Sequence, residues 1–170
     1  IVDEPDWLAA DVASNWFLNY PVDTARAPFQ TEARLTFNDQ FLFVSLVCYD
    51  DQSPDLINSL RRDFDYERND NVGFNIGPFN DRINGFFFAI TPAGVQMEGT
   101  ISGSGTSESS FGVSWDNKWY SKVVRYPDKW ICEFAIPFKS FRYKALDEWN
   151  IAFDRFDRKR NMRSAWIHTP

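Results

Sequence analysis

The chain has a single histidine, and this limits the nucleophilic chemistry open to it. A Ser-His-Asp or Cys-His unit needs a histidine to accept the proton of the nucleophile, and His168 is the one histidine among 170 residues. It lies four residues after Ser164, in a strand-like segment near the end of the chain. We interpret His168 as an ordinary edge-strand side chain. Zinc or iron sites built on several imidazoles are excluded.

Acidic residues offer a second route to catalysis. The chain has 24 Asp and Glu residues, and a glycoside hydrolase needs a pair of carboxyl groups whose separation is spatial. No motif favours any particular pair. A glycoside hydrolase therefore stays an alternative, and we predict a non-catalytic domain with no catalytic residues.

Several acidic residues cluster near the ends of two predicted strands. They are Asp50, Asp51, Asp63, Asp65, Glu67 and Asp70. Loops at one end of a β-sandwich can bring such side chains together, and Ca²⁺ accepts carboxylates from separate segments. No loop has the EF-hand spacing. We predict a calcium site with Asp50, Asp51 and Asp70 as ligands; the alternative is a solvated acidic rim.

Three aromatic residues are candidates for binding a sugar. A sugar ring has an apolar C–H face that stacks on Trp or Tyr, while nearby amides and carboxylates bind its hydroxyl groups. The candidates are Tyr66, Trp115 and Trp119. The alternative is core packing, because most of the seven tryptophans in a domain of this size pack inside it.

A basic segment near the end of the chain stands out on an acidic domain. It contains Arg155, Arg158, Lys159, Arg160 and Arg163. We expect it to form the tip of a hairpin. Two interpretations remain: a solvated turn that counters acidic neighbours, or a docking patch for a partner or for the rest of the chain.

Composition constrains the elements that must position these residues. The net charge of −6 makes nucleic acid an unsuitable partner. No run of 18 apolar residues is present, so the sequence predicts no transmembrane segment. Aromatic residues make up 18% of the chain, with 17 Phe, and this content favours strands over helices.

The hydrophobic pattern has a period of two along most of the chain. Polar and apolar residues alternate over residues 32–37, and a nearly continuous apolar run covers residues 41–49. These segments predict a hairpin of a half-buried strand and a central strand. Further strands are predicted over residues 72–76, 86–90, 95–98, 118–126, 130–136, 149–157 and 164–168. Residues 99–110 are rich in Gly, Ser and Thr and predict a mobile loop.

The sequence therefore predicts an all-β fold, a two-sheet antiparallel β-sandwich of about ten strands with one or two short helical turns. One helix or turn is expected at Ser53, because Pro54 and Asp55 follow it as at a helix start. Cys48 and Cys132 lie in apolar strands and predict either buried free thiols or an inter-sheet disulfide. Residues 1–170 form one domain, and the strand-like final residues suggest that more protein follows.

The order of segments resembles family 9 carbohydrate-binding modules. The resemblance is carried by DEPDW at 3–7, ARLTFNDQFLFV at 33–44, NDNVGF at 69–74 and WICEFAIPF at 130–138. It implies a β-sandwich of the immunoglobulin or jelly-roll kind, with calcium sites in some members. Asp50 and Asp70 match positions of calcium ligands.

The chain is also similar to a subgroup of these domains at the N-terminus of bacterial envelope proteins with a C-terminal outer-membrane-type barrel. This likeness rests on NDRIN at 80–84, PAGVQ at 92–96, WDNKW at 115–119 and IAFDR at 151–155. It implies an extracytoplasmic domain, in the periplasm or at the cell surface, associated with the outer membrane.

The ligand residues of the family are only partly present. Sugar-binding members have a tryptophan just before the equivalent of Asp70, where this chain has Tyr66 and Glu67. They also have a carboxylate where Gly73 falls and an arginine where Phe88 falls. The resemblance thus implies binding of an oligosaccharide or polysaccharide with an altered clamp. The alternative is a structural or docking module that contacts the rest of a larger envelope protein or its partners.

Overall fold

The chain folds into two antiparallel sheets. The structure is a computed structural model that describes residues 5–23, 25–81, 83–103, 111–140, 142–143 and 148–167. Its strands are β1 Phe17–Tyr20, β2 Thr31–Phe37, β3 Phe41–Tyr49, β4 Asn71–Gly77, β5 Gly85–Ile90, β6 Gln96–Ile101, β7 Phe111–Gly112, β8 Tyr120–Arg125, β9 Lys129–Pro137, β10 Asn150–Asp157 and β11 Met162–Ala165. One short helix, α1, spans Pro5–Ala9, and one-turn 3-10 helices span Tyr66–Arg68, Phe138–Ser140 and Arg158–Arg160.

The strands form a large and a small sheet. The large sheet has seven strands in the order β1-β11-β10-β4-β5-β6-β7, and the small sheet has four in the order β2-β3-β9-β8. All strand pairs are antiparallel. The predicted all-β, two-sheet antiparallel sandwich is confirmed, with eleven strands in the described residues.

The predicted hairpin is formed by β2 and β3, which pair from Thr31 with Cys48 to Phe37 with Leu42. Its turn is held by the side-chain oxygen of Asn38, which accepts the backbone N–H groups of Gln40 at 2.9 Å and Phe41 at 2.8 Å. β3 lies between β2 and β9. The interpretation of β3 as a central strand is therefore confirmed.

The core lies between the two sheets and is largely aromatic. The ring of Phe74 on β4 lies 5.4 Å from that of Phe88 on β5 and 5.3 Å from that of Phe134 on β9, measured between centroids. These side chains have almost no exposed surface. Ring pairs of this kind stabilise a core beyond the area that they bury.

Both cysteines belong to this core. Cys48 and Cys132 are buried free thiols, so the first of the two predicted states is confirmed and the inter-sheet disulfide is wrong. The reason is topological: Cys48 lies on β3 and Cys132 on β9, which are neighbours in the same sheet. Burial raises the pKa of Cys48 to about 12.

The helix or turn expected at Ser53 is not a helix, since residues 54–60 have no regular secondary structure. Asp55, expected in a first helical turn, pairs instead with Arg125 at 2.6 Å. The segment is instead held against residues 68–70. The backbone N–H of Leu56 donates to Asp70 Oδ2 at 2.6 Å, and that of Asp70 donates to the Leu56 carbonyl at 2.8 Å.

Two predicted boundaries differ from the observed ones. Gly99 begins the expected loop, but it lies inside β6, because β7 pairs with Thr100 and Ile101. Residues 104–110 lie outside the described residues. The expected strand at 164–168 begins and ends earlier, as β11, and His168 lies outside the described residues. Among the described residues, no helix has the length and apolar character needed to cross a bilayer.

Candidate functional site

The two ends of the sandwich have different surfaces. β4 begins after Asp70 and ends at Gly77, a span of about 20 Å at the usual rise per residue. Asp50, at the end of β3, and Asp70 lie at one end, which we call the charged end. The turn from β4 to β5 lies at the other end, and there the surface is concave.

The concave region, which we call the end cleft, has a volume of about 630 Å³. Four segments form it: the β4–β5 turn, the end of β6, the loop before β8, and the 3-10 helix after β9. The described residues that line it are Phe79, Asp81, Asn84, Gly85, Phe86, Thr100, Ile101, Ser102, Trp115, Lys139, Ser140 and Arg142.

One wall of the end cleft is aromatic. The half-buried ring of Trp115 lies 4.7 Å from the ring of Phe86 and 6.0 Å from that of Phe88. The ring of Phe79 lies 6.2 Å from that of Phe86. Trp115, one of the three predicted ligand residues, is thus fixed by the core on one side and open to the cleft on the other.

The loop that carries Trp115 is held by Glu98, which has no exposed surface. Its carboxylate accepts the indole N–H of Trp119 at 2.9 Å and the backbone N–H of Asn117 at 3.0 Å. It also pairs with Arg62. The Asn117 side chain then donates to the carbonyl oxygen of Ser140 at 2.9 Å. This network joins two walls of the cleft.

Glu98 was not among the functional residues predicted from the sequence, because the local pattern points the wrong way. Apolar Val95 and Met97 alternate with Gln96 and Glu98, and such a pattern alone places Glu98 on the solvent side. In the structure Val95 and Met97 lie on the outer face of the large sheet, under Phe64, so Glu98 points toward the core. An acidic residue at an inward position needs a partner, because an unpaired buried charge is costly.

Trp119 does not contribute to the cleft surface. Its ring stacks on Phe134, with centroids 5.2 Å apart and planes at 11°, and the side chain is 4% exposed. Since its indole N–H is bound by Glu98, the residue has no free polar group for a ligand. Trp119 is therefore packed in the core, which was the alternative to ligand binding.

Tyr66 lies far from the end cleft, in the 3-10 helix before β4. Its hydroxyl donates to Asp154 Oδ2, and its ring packs 6.1 Å from Phe156. Burial, and then the charge of Asp154, raise the pKa of the phenol well above its usual value. The structure therefore does not bring Tyr66 and Trp115 together.

Tyr66 helps to cover the outer face of the large sheet. Phe64 packs there with Phe87, Ala89, Val95 and Met97. Gly73 lies on the same face, where an added Cβ would collide with the Phe88 carbonyl oxygen and lie 3.0 Å from the Ala89 Cβ. The Phe88 side chain itself points into the core and is 1% exposed. Neither Gly73 nor Phe88 can present a polar ligand group here.

At the charged end, the predicted metal ligands are paired with cations of the chain itself. The ammonium of Lys159 lies 2.7 Å from Asp50 Oδ2 and 3.2 Å from Asp55 Oδ1, and it donates to the Ser53 carbonyl at 3.2 Å. The side chains of Lys159 and Asp50 are 8% and 3% exposed.

Arg160 extends this ion-pair cluster. Its guanidinium lies 2.9 Å from Asp50, 2.6 Å from Asp51 and 2.6 Å from Asp157. Arg155 contributes a third cation, 3.5 Å from Asp50. Most of the basic segment thus counters acidic neighbours, as one of its two interpretations held. Arg155 and Lys159 are buried rather than solvated, with side chains 4% and 8% exposed.

The carboxyl groups of the charged end differ in pKa. Burial by itself raises the pKa of Asp50, but hydrogen bonds from Lys159 and Arg160 and the charge of Arg155 outweigh it, so that the pKa is lowered. Asp70 is different: burial raises its pKa, although it accepts backbone N–H groups from Leu56 and Lys159.

These surroundings do not fit Ca²⁺, which needs six to eight oxygen ligands. Asp50 and Asp51 already bind ammonium and guanidinium groups, and Asp70 is turned toward backbone N–H donors. In the part of the chain that the structure describes, no three His, Cys, Asp or Glu side chains are arranged to hold a metal ion. The calcium site at Asp50, Asp51 and Asp70 stays a prediction to be tested by titration.

Comparison with known proteins finds similar solved structures but no match by sequence. No protein-family model matches the sequence, and no curated protein matches it significantly. A proposed carbohydrate-binding protein from Bacteroides uniformis superposes with a TM-score of 0.70 at 12% identity, over 97% of this chain and 82% of that one. A family 9 carbohydrate-binding module from Caldicellulosiruptor kristjanssonii, solved with glucose, gives 0.63 at 14% identity, over 96% and 77%. The same kind of module from that organism, solved with cellotriose, gives 0.60 at 14% identity, over 95% and 74%. The chain therefore has a β-sandwich fold like that of family 9 carbohydrate-binding modules.

Proposed function

We propose that this domain binds carbohydrate without transforming it, and that the sugar lies in the end cleft against Trp115. The observation that carries the proposal is the half-buried Trp115 ring beside a cleft of about 630 Å³. A volume of this size falls within the usual range of small-molecule sites. Two other concavities among the described residues, one beside Phe29 and one beside Trp130, have volumes of about 10 Å³ or less.

The chemistry of the cleft suits a sugar ring. The face of an indole attracts the C–H groups of a pyranose, and Trp115 is held in place by Phe86, so little side-chain entropy is lost on binding. Asn84, Thr100 and Ser102 lie on the cleft surface and have hydrogen-bonding groups of the kind that hydroxyl groups need.

The structural relatives support the same conclusion. Two of them are family 9 modules whose structures contain glucose or cellotriose. At 14% sequence identity, the likeness to these modules is a likeness of fold alone. It makes carbohydrate the first ligand class to test in this chain.

The test is isothermal titration calorimetry of the whole chain with a panel of soluble oligosaccharides, neutral and acidic. We expect at least one member to bind, and Trp115→Ala to weaken it about tenfold or more through the loss of the stacking face. Tyr126→Ala is the matched control, since Tyr126 is 43% exposed and lies in the β8–β9 turn at the charged end. The control should bind as the wild-type chain does.

Two results would contradict the proposal. One is the absence of binding heat with every oligosaccharide of the panel. The other is a Trp115→Ala variant that binds as tightly as the wild-type chain, which would place the sugar elsewhere.

A further inference from the structure

We infer that the end cleft selects an anionic sugar, with its charged group held by Lys139 and Arg142. This inference rests on the proposed function and names the ligand class of the same site. It depends on the distribution of charge around the cleft rather than on the aromatic wall.

Both cations lie on the cleft surface and are exposed. Lys139 is in the 3-10 helix that follows β9, and Arg142 comes three residues later. Within the described ranges, neither has an ion pair with a carboxylate. This contrasts with the charged end, where Arg155, Lys159 and Arg160 are all paired with aspartates.

The cleft also contains one carboxylate, Asp81, but its oxygens are used within their own turn. Oδ1 accepts the backbone N–H groups of Ile83 and Asn84, each at 2.9 Å, and Oδ2 accepts the Asn84 side-chain amide at 2.7 Å. These bonds fix the β4–β5 turn and stabilise the carboxylate where it is. The described lining therefore has two cations and one anion.

A net positive cleft is notable on a chain with a net charge of −6. The global field repels an anion, so an anion that binds here must be held by local contacts. A guanidinium and an ammonium on the same wall provide such contacts for a carboxylate or a sulfate ester. The sugar ring to which that group is attached can then stack on Trp115.

The experiment measures affinity by titration calorimetry for three oligosaccharides of equal length at low salt. One is a neutral cello-oligosaccharide, the second an oligogalacturonate and the third a cello-oligosaccharide that carries sulfate esters. We expect at least one anionic ligand to bind about tenfold or more tightly than the neutral one, as charge-assisted hydrogen bonds predict. The difference should shrink as salt screens the charges.

The double variant Lys139→Gln/Arg142→Gln should lose this preference. Arg61→Gln is the control, because Arg61 is an exposed cation before β4 and does not line the cleft. It should retain the preference. The oligogalacturonate and sulfated arms show which anionic group is recognised.

The outcomes separate this inference from the proposed function. Equal affinity for the neutral and anionic ligands overturns the inference and leaves the proposed function standing, provided that Trp115→Ala weakens both. A preference that survives in the double variant also overturns it. If no oligosaccharide of any charge binds, both fail.

Discussion

Single residues in this domain have roles that their types do not reveal. Glu98 is an acidic residue without exposed surface. Its described contacts do not include Lys139 or Arg142, the two cations that we assign to ligand binding. It holds Asn117 and Trp119 by hydrogen bonds, and so it positions the loop of Trp115. A buried carboxylate with this many donors is a positioning residue.

Replacing Glu98 tests this role. Glu98→Gln removes the buried anionic partner of Arg62, which keeps only the exposed Asp116 at 3.6 Å. It also replaces one acceptor oxygen by a donor, so we expect the free energy of unfolding to fall by about 1–3 kcal/mol. Glu32→Gln is the control, since Glu32 forms its ion pair with Arg34 on the partly exposed outer face of β2. Urea denaturation measures both. An unchanged midpoint for Glu98→Gln would contradict the role.

The two thiols give a second prediction at this scale. Burial raises the pKa of Cys48 to about 12 and that of Cys132 well above its usual value. The thiolate is the reactive form, so neither residue should react with a thiol reagent at pH 8 while the chain is folded. Both should react in denaturant. Rapid labelling of the native chain would show that the strands open.

At the scale of elements, the sequence identifies what is local and misses what is distant. The β2–β3 hairpin is predictable because alternation and the turn at Asn38 lie within twenty residues. Of the helix or turn expected at Ser53, the helix does not form. Asp55 pairs instead with Arg125 on β8, a partner that no local pattern reveals. The ion pair of Asp50 and Lys159 spans 109 positions, so the sequence did not show that cations of the chain itself lie beside the predicted metal ligand Asp50.

Lys159 joins the β10–β11 turn to the end of β3. Lys159→Ala leaves the buried Asp50 with fewer cations, and breaking a buried pair on one side typically costs about 3–5 kcal/mol. We expect a clear fall in the free energy of unfolding by urea denaturation. Arg158→Ala is the control, because Arg158 lies in the same turn and bonds to Asn161 rather than to an aspartate. Equal effects of the two variants would contradict a stabilising role of the ion pair between Lys159 and Asp50.

The same ion-pair cluster affects whether Ca²⁺ can bind at Asp50, Asp51 and Asp70. Because Lys159 and Arg160 already neutralise Asp50, we expect Ca²⁺ and a chelator to leave the melting temperature of the wild-type chain unchanged. A rise in the melting temperature with Ca²⁺ that a chelator reverses would confirm the predicted site and show that the cations move aside. Differential scanning calorimetry measures it.

Acid should act on the two buried aspartates in opposite directions. The pKa of Asp50 is lowered in the folded chain, so its stabilising contribution is present above the unfolded value of about 4 and is lost as the pH falls below it. The pKa of Asp70 is raised, so its protonation on acidification favours the folded state. Asp70→Asn should therefore lose stability more steeply than the wild-type chain between about pH 5 and 3. A shallower loss would contradict these directions.

At the scale of the whole molecule, the sandwich separates two kinds of surface. One end is closed by ion pairs among the chain's own residues, and the outer face of the large sheet is covered by Phe64 and Tyr66. The other end has a cleft with an aromatic wall and two cations, Lys139 and Arg142, that form no ion pair with a carboxylate among the described residues. The fold class followed from hydrophobic period and from the family resemblance. The cleft did not, because it is built by four segments whose meeting depends on the closure of both sheets.

The most direct test of carbohydrate binding at the end cleft is a titration of the ¹⁵N-labelled chain with an acidic oligosaccharide, followed by two-dimensional NMR. We expect the indole N–H of Trp115 and the amides of Gly85 and Ser140 to shift with ligand concentration, and the amides of Tyr66 and Lys159 to stay in place. Shifts confined to Tyr66 and Lys159, or a spectrum unchanged by every oligosaccharide tested, would contradict carbohydrate binding at the end cleft.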